Sequence, residues 1–359
     1  MNARRYHAVL LCCVITGCAS PTWEATYQVA SADDGVVGLA CEGTRAALIR
    51  PDGFSIVAAG AKGLETQATV TGVKTPLGMG QGSARLLADR LVVAAGQTLE
   101  IFDVSAAPTL VQGSVPLEFR APFELVGHHL YVGSGGGLAI YDLTDAKQPR
   151  LLDSSNAVDG RFLLPLSMRV QGTVLYVVGG NHAVLTAYSV ADPTTPTLLS
   201  ELSLKDFGVN ETAGFEFGHM LPVGKHLVMN LTLRGKTSQH LPLTVNISDP
   251  AKMVVTQGLE LASTACTVMP LASEGAQGVI GIIGGNRSVV FSRSNFQDEV
   301  GMIDLSTPAD PRYVCSRPEL EGVSFRSATD ICFAGDTLLH VYADQGGEGA
   351  SRLFRSKRK

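Results

Sequence analysis

The charged residues best placed to bind a ligand lie in three long excursions between apolar, strand-like runs. The excursions cover residues 206–217, 232–241 and 284–298, and the side chains singled out there are Glu211, Arg234, His240, Arg287, Arg293 and Asp298. Their guanidinium, imidazole and carboxylate groups suit an anionic or sugar-like ligand or a protein partner. The alternative is that the insertions arose without selection and that their charges are merely solvated.

A second set of groups could do acid–base chemistry. Glu124, Arg169, His219 and Asp330 lie in runs expected to form the innermost strands of the fold. A convergent acid and base among them would support a hydrolase or lyase acting on a polysaccharide or an ester. The sequence contains no Gly-x-Ser-x-Gly elbow, no His-Glu-x-x-His and no EF-hand spacing. We therefore predict no cofactor and no metal site, and we favour a non-enzymatic protein.

The overall composition restricts the fold class and the kinds of partner that the protein can have. Hydrophobic residues make up 45% of the chain and charged residues 17%, with 39 Gly, which suits many short strands and tight turns rather than helices. The formal net charge of −5 argues against a general nucleic-acid surface, which must neutralise phosphates. We therefore predict an all-β protein that does not bind nucleic acid.

A recurring five-residue phrase indicates which elements position these groups. It reads Ile-Phe-Asp-Val-Ser at 101–105 and Ile-Tyr-Asp-Leu-Thr at 140–144, and weaker copies occupy 187–191, 245–248 and 302–306. Most copies lead into a turn rich in Asp and Pro. Short β-branched runs that repeat about every 40 to 50 residues are typical of the four-stranded antiparallel blades of a β-propeller.

The order of elements in each repeat resembles the LVIVD-repeat propellers of exported bacterial proteins. Each repeat has a strand, a Gly turn, a strand ending in Ile-x-Asp-x-Ser, an Asp/Pro turn and a last strand. The resemblance is specific over Leu91–Leu152, fair at Leu175–Leu199 and Val300–Val314, and loose elsewhere. It implies a propeller fold. It transfers no catalytic residues, because that family carries no agreed activity.

The strand count predicts a single propeller domain over residues 26–355 with seven blades, six being the alternative. The last module offers only three strands, and an unpaired run, Ala25–Val29, precedes the first module. Exposed sheet edges invite aggregation, so we predict that this run completes the last blade and closes the ring. Strands alternate in direction within a blade, so the three long excursions fall on one face, which is the predicted binding face.

Ring closure also makes a prediction about the cysteines. Cys41 and Cys332 then lie at the ends of inner strands in neighbouring blades, and we predict that they form a disulfide. Cys266 and Cys315 fall in one blade, and no pairing is predicted for them. Four cysteines in an oxidising compartment allow two disulfides, while free buried thiols are the alternative.

The first residues resemble a bacterial lipoprotein signal. Arg4 and Arg5 precede the apolar run Ala8–Ile15, which is too short to span a bilayer, and Cys18 follows Thr16 and Gly17. The resemblance implies removal of residues 1–17, lipid on Cys18, and a tether over 18–25. Ala19 after the Cys is compatible with the outer membrane. An ordinary secretory signal that happens to end in Cys is the alternative, and residues 356–359 are predicted to form a basic tail.

Together these features predict a lipid-anchored, non-enzymatic binding or scaffold module at the cell envelope. Its partners would be the membrane, through lipid on Cys18, and an unidentified protein or glycan. Two alternatives remain open: an envelope enzyme with its site at the channel mouth, and a cell-surface adhesin.

Overall fold

A computed structural model describes most of the chain, in seventeen ranges of residues. These are 28–61, 63–73, 84–105, 109–118, 121–134, 137–155, 165–179, 184–203, 215–233, 239–258, 271–273, 279–284, 299–304, 312–316, 328–335, 337–343 and 351–357. They form 28 strands, and a short 3-10 turn covers Pro250–Lys252. No helix within these ranges is long and apolar enough to cross a bilayer.

Strand β1 (Gln28–Asp34) opens the described chain, and the next twelve strands form three sheets in sequence order. Sheet 1 contains β2 (Gly38–Glu42), β3 (Arg45–Arg50), β4 (Gly53–Gly60) and β5 (Gly63–Thr71). Sheet 2 contains β6 (Ala84–Leu87), β7 (Arg90–Ala95), β8 (Thr98–Asp103) and β9 (Thr109–Pro116). Sheet 3 contains β10 (Phe123–Val126), β11 (His129–Ser134), β12 (Gly137–Asp142) and β13 (Arg150–Ser155).

The remaining strands form four more sheets. Sheet 4 contains β14 (Pro165–Gln171), β15 (Val174–Gly179), β16 (Val184–Ser189) and β17 (Thr197–Ser203). Sheet 5 contains β18 (Phe215–Val223), β19 (His226–Leu233), β20 (Gln239–Asn246) and β21 (Val254–Gly258). Sheet 6 contains β22 (Leu271–Ser273), β23 (Val279–Gly284), β24 (Glu299–Asp304) and β25 (Arg312–Ser316). Sheet 7 contains β26 (Ala328–Ala334), β27 (Thr337–Ala343), β28 (Ser351–Lys357) and β1.

The sheets stand in a ring around their first strands. Each first strand contacts the first strand of the next sheet, in the order β2, β6, β10, β14, β18, β22 and β26, and β26 returns to contact β2. All neighbouring strands within a sheet are antiparallel. The predicted all-β propeller with four-stranded antiparallel blades is therefore confirmed.

Strand β1 closes the ring by pairing with β28, the third strand of sheet 7. Gln28 pairs with Arg355, Val29 with Phe354 and Asp34 with Arg352. The predicted closing strand is thus present, but it extends to Asp34 instead of ending at Val29, because pairing with β28 favours an extended backbone through the polar residues. Residues 25–27 lie outside the described ranges. The last strand runs to Lys357, so the segment predicted as a basic tail begins inside it.

The core consists of apolar layers between neighbouring sheets. Successive side chains of a strand point to opposite faces of its sheet. In β11, Leu130 and Val132 pack into the layer shared with sheet 2, whereas the intervening Tyr131 packs with Met168 and Leu175 of sheet 4. Both faces of the second strands β3, β7, β11 and β15 are buried in this way, so these strands read as nearly continuous apolar runs.

Two faces of the ring follow from the connections. We call "short-turn face" the edge at which the first strand of each sheet turns into the second and the third connects to the fourth. The opposite edge is the "long-loop face", and residues 156–164, 204–214, 259–270, 285–298 and 317–327 are connections at that edge. First-to-second turns hold two residues where described, and Gly43, Gly127 and Gly172 occupy the left-handed conformation there with φ of 56°, 57° and 59°.

Candidate functional site

The aspartates of the recurring phrase stabilise turns on the short-turn face. Asp103 Oδ1 accepts hydrogen bonds from the N–H and the hydroxyl of Ser105, at 3.0 and 2.7 Å. Asp142 does the same with Thr144, at 2.8 and 2.6 Å. The side chain of Asn246 accepts from the N–H of Ser248 at 2.9 Å in the equivalent turn of sheet 5. The phrase therefore encodes a turn, and its carboxylates are not a catalytic set.

These turn hydrogen bonds lower the pKa of the aspartates. The Ser105 hydroxyl and N–H, followed by the Arg90 guanidinium, hold the pKa of Asp103 below its usual value. The Thr144 hydroxyl and N–H, followed by Arg150, do the same for Asp142. Each group favours its charged form because donors already point at it. The shifts thus follow from turn geometry rather than from an active site.

Inner strands of three neighbouring sheets carry an ionic cluster formed by Arg85 of β6, Glu124 of β10 and Arg169 of β14. Arg85 Nε donates to Glu124 Oε1 at 3.1 Å, and an Arg169 terminal nitrogen donates to Glu124 Oε2 at 3.2 Å. Only 16% of each arginine side chain and 10% of the glutamate side chain is exposed. The Arg85 guanidinium also lies 5.3 Å from the centre of the Phe123 ring.

The register shows that this cluster occupies equivalent positions of the repeat. One residue of each inner strand pairs with the third residue of the next strand, and these residues are Ala40, Arg85, Glu124, Arg169, Leu221, Ala272 and Cys332. Charge is confined to three consecutive sheets, whereas the other four positions carry small or apolar residues. The ring is therefore polar on one side of its inner wall at this level.

The cluster is an ionic bridge in which one carboxylate joins two guanidinium groups. Both carboxylate oxygens of Glu124 accept hydrogen bonds from arginines, and Oε1 also lies 3.3 Å from the backbone nitrogen of Leu125. A general acid or base must present its carboxyl group to a substrate, which this carboxylate does not do. Glu124 and Arg169 of the predicted acid–base set are thus brought together as an ion pair. His219 lies in β18 and Asp330 lies in β26, and for both residues the structure describes the backbone alone.

Sequence reasoning missed Arg85, the third member of this cluster. A lone arginine in a short strand carries no chemical signal of its own. Aligning the repeats on their first Gly or Ala turn would have placed Arg85 beside Glu124 and Arg169, since each precedes its turn by the same number of residues. The repeat register was therefore the signal that could have found it.

Most of the predicted binding face lies outside the described residues. Glu211, Arg234, Arg287, Arg293 and Asp298 fall in this category, so their grouping stays a prediction. His240 is described at the level of the backbone, and it lies in β20, paired with Thr232 of β19. The predicted loop over 232–241 is therefore too long, because residues 232–233 and 239–241 belong to the two strands. The alternating apolar and polar residues of β19 and β20 extend this hairpin, and its connection is limited to residues 234–238.

The seam between sheets 7 and 1 contains a disulfide. The Sγ atoms of Cys41 in β2 and Cys332 in β26 are 2.03 Å apart, and their Cα atoms are 5.8 Å apart. This is the pair predicted from ring closure. An apolar layer with Val36, Leu48 and Leu339 lies at the same seam. Cys18 and Cys266 lie outside the described residues.

A metal centre is not visible in the described part of the chain. Among those residues, no three His, Cys, Asp or Glu side chains are grouped so that they could hold a metal ion. His226, which begins β19, is nearly buried, and burial followed by the neighbouring Lys225 lowers its pKa. A buried neutral imidazole at a strand end is compatible with packing against the turn.

Comparison with solved structures shows the same fold in functionally diverse proteins. The β-propeller domain of Cps50 (Swd1) from Myceliophteria thermophila matches with a TM-score of 0.58 at 12% identity, over 91% of this chain and 99% of that one. A chain of Kuenenia stuttgartiensis hydrazine synthase matches with a TM-score of 0.56 at 11% identity, over 86% and 93%. A chain in the structure of Saccharomyces cerevisiae Dbp5 bound to Nup159, Gle1, IP6 and ADP also matches. Its TM-score is 0.53 at 8% identity, and the match covers 94% of this chain and 96% of that one.

At these identities the similarity shows the fold alone. No protein-family model matches the sequence, and no curated protein is detectably similar to it in sequence. The resemblance to LVIVD-repeat propellers therefore stays a prediction, as does the lipoprotein signal.

Proposed function

We propose that the protein is a lipid-anchored, non-enzymatic binding or scaffold module of the cell envelope. The observation that carries the proposal is the difference between the two faces. The described turns of the short-turn face are compact, and their polar side chains form hydrogen bonds within the turn. The long connections join strands at the opposite face. A rigid ring with variable loops on one face is the usual architecture of a binding platform.

The neighbours support a binding role at the level of the fold. One of them is a chain in an assembly of Dbp5 with Nup159 and Gle1, so this architecture occurs within multi-protein complexes. The hydrazine synthase match shows that the fold also occurs in a protein named as an enzyme. In this chain, both carboxylate oxygens of Glu124 accept hydrogen bonds from arginines, an arrangement that supports a structural role for this residue.

The partner would contact the long-loop face. Arg234, Arg287 and Arg293 provide donors for carboxylates or for sugar hydroxyls, and Glu211 and Asp298 provide acceptors. His240 sits at the same edge, beside the connection over 234–238. A protein or a glycan of the envelope fits this mixture. An adhesin would use the same face, with a partner on another cell or surface.

Replacing residues 285–298 by a Gly-Ser linker tests the face assignment. The variant should lose at least tenfold in affinity for envelope proteins or peptidoglycan fragments that bind the parent protein, measured by titration with each purified partner. The matched control replaces Asp145–Gln148, a connection of sheet 3 on the short-turn face, and should bind as the parent does. Equal affinity of all three proteins would contradict the assignment.

Anchoring and location have their own test. A Cys18→Ser variant should move from the outer-membrane fraction to the soluble periplasmic fraction, and the parent protein should gain the mass of acyl chains on Cys18. Protease treatment of intact cells then separates an outward-facing adhesin from a periplasmic module. A parent protein that is soluble and carries no lipid would refute the anchor while leaving the binding role open to the loop experiment.

A further inference from the structure

The side chain of Arg85 reaches the central channel of the ring. A propeller encloses such a channel between its innermost strands, and Arg85 lies in one of them, β6. Arg85 pairs with Val92, the third of the six residues of β7, so it lies near the middle of its sheet in height. Other strands cover the residue on its remaining sides at that height. The 16% of its side chain that is exposed therefore faces the channel.

Part of the Arg85 guanidinium group has no partner among the described residues. Its Nε donates to Glu124 at 3.1 Å, and one terminal nitrogen donates to the carbonyl of Ala84 at 2.8 Å. An arginine has more N–H donors than these two bonds use. The other terminal nitrogen finds no acceptor in the described part of the chain, and it is not buried. Its N–H groups are therefore available to a ligand in the channel.

The contacts of this guanidinium group fix its orientation. The Phe123 ring lies against it, with 5.3 Å between the guanidinium carbon and the ring centre. Arg169, two sheets further on, has the same arrangement: a terminal nitrogen donates to the carbonyl of Met168 at 3.0 Å and to Glu124 at 3.2 Å. A donor that is already oriented loses little conformational entropy when a ligand binds to it.

The charge and the width of the channel at this height suit a small anion. The two arginines and the one carboxylate of the ionic cluster leave a net charge of 2 − 1 = +1. At the equivalent positions of sheets 1 and 7, the wall carries the short side chains of Ala40 and Cys332, which leave the channel wider there. Asp330 lies two residues from Cys332 along β26, nearer the long-loop face, and so belongs to another level.

We infer that the central channel binds a carboxylate group at Arg85. A carboxylate is planar and singly charged, so it matches both the guanidinium N–H groups and the net charge of the cluster. A doubly charged phosphate exceeds that net charge and is repelled more strongly by Glu124. Sugar acids and peptides with a free C-terminus both present the required group. Glu124 orients the arginine and does not touch the ligand. This site is separate from the long-loop face and does not depend on the partner proposed above.

Calorimetric titration with glucuronate and with acetyl-dialanine tests the site. At least one acid should show saturable binding, whereas the methyl ester of glucuronate and the amide of acetyl-dialanine should not bind. Arg85→Lys keeps the charge beside Glu124 but lacks the planar fork, so it should weaken binding about tenfold. The matched control is Arg150→Lys, at an arginine that is 72% exposed and paired with Asp142, and it should bind as the parent does. Absent binding of both acids, equal binding of the neutral analogues, or equal affinity of the two variants would overturn the inference.

A second measurement uses the parent protein and needs no variant to fold. Butanedione, a small reagent for accessible arginines, is applied with and without each acid, and peptide mapping by mass spectrometry measures the modified fraction of each arginine. The acid that binds should slow the modification of Arg85 and leave that of Arg150 unchanged. The acid that protects Arg85 more strongly identifies the sugar or the peptide as the source of the carboxylate. An Arg85 that never reacts, or that reacts equally fast with and without both acids, would overturn the inference.

Discussion

At Ala88 the backbone departs from the pattern of the other first-to-second turns. Ala88 has φ of 46°, the one non-glycine with positive φ among the described residues, whereas Gly43, Gly127 and Gly172 adopt the same conformation without a side chain. Glu42 accepts from the Ala88 N–H, and an Arg45 terminal nitrogen donates to the Ala88 carbonyl at 2.7 Å. Two side chains of sheet 1 thus hold a strained turn of sheet 2.

Ala88→Gly should stabilise the protein by about 0.5–1 kcal/mol, because relief of left-handed strain exceeds the added entropy of the unfolded chain. Urea unfolding measures the difference. The control, Gly127→Ala, introduces the same strain and should destabilise by about 1 kcal/mol; no atom lies within 4 Å of the added Cβ, so packing does not contribute. Stability changes of the same sign in both variants would contradict this account.

Asp142 predicts a specific pH dependence of stability. Its folded pKa is lowered below the model-peptide value of 3.8, chiefly by the Thr144 hydroxyl. The unfolded state therefore binds the proton first, so the contribution is present above pH 4 or so and is lost as the pH falls through the folded pKa. Asp142→Asn keeps the turn acceptor, as Asn246 does in sheet 5, and removes only the charge.

The free energy of unfolding of this variant should lie below that of the parent at pH 6, and the gap should shrink by pH 3. Urea titrations at several pH values measure it. Asp153→Asn, an exposed change in β13 of the same sheet, serves as the control for general charge effects. A gap that is constant with pH would show that the carboxylate of Asp142 has no favoured charged form in the folded protein.

Among the elements, the three inner strands β6, β10 and β14 are joined by Glu124. Glu124→Gln removes the carboxylate charge that bridges two largely buried guanidinium groups, and we expect a loss of about 3 kcal/mol in the free energy of unfolding. The control is Arg150→Ala, which removes a pair with Asp142 at 3.2 Å in which the arginine is 72% exposed. That change should cost less than about 1 kcal/mol. Similar small losses in both variants would show that the cluster is not a structural bridge.

At the scale of elements, the sequence predicted the strands and turns that recur from one repeat to the next. The central aspartate of the phrase, Asp103 or Asp142, marked the end of the third strand in its sheet, because a short carboxylate there stabilises the turn that follows. Strand β1 was predicted only in part, since Ser31, Asp33 and Asp34 have turn-forming preferences that pairing with β28 overrides. The contact of Arg85 with Glu124 was not predicted, because it exists only once separate repeats stand side by side.

For the whole molecule, the Cys41–Cys332 disulfide joins positions 291 residues apart at the seam. A cross-link over so long a loop strongly restricts the unfolded chain, and the chain-entropy relation gives about 6 kcal/mol for it. Cys41→Ser with Cys332→Ser should therefore reduce the free energy of unfolding by several kcal/mol, as measured by urea unfolding without reductant.

Reductant provides the control for this prediction. It should lower the stability of the parent toward that of the double variant and leave the double variant unchanged. Peptide mapping under non-reducing conditions should recover Cys41 and Cys332 in one cross-linked fragment. Recovery of the two as separate thiols, or equal stability of parent and variant, would contradict a sealed seam.

Ring closure itself was predictable from the sequence, because a three-stranded last module and an unpaired first run complement each other. The binding surface was not predictable, because the repeat pattern does not extend to the insertion with Arg287 and Arg293 and so does not define their neighbours. A repeat pattern restricts the strands strongly and the insertions weakly. The architecture can therefore be predicted from the sequence, whereas the ligand cannot.

The pairing of β1 with β28 gives the chain an order of assembly. Strand β1 has no partner in its sheet until β28 is available, so the ring stays open until nearly the last described residues have been synthesised. A product cut short before Ser351 leaves two unsatisfied strand edges and a leading strand with nothing to bind. The last step of folding therefore requires the full set of strands, and proteases that recognise unpaired strands would degrade truncated products.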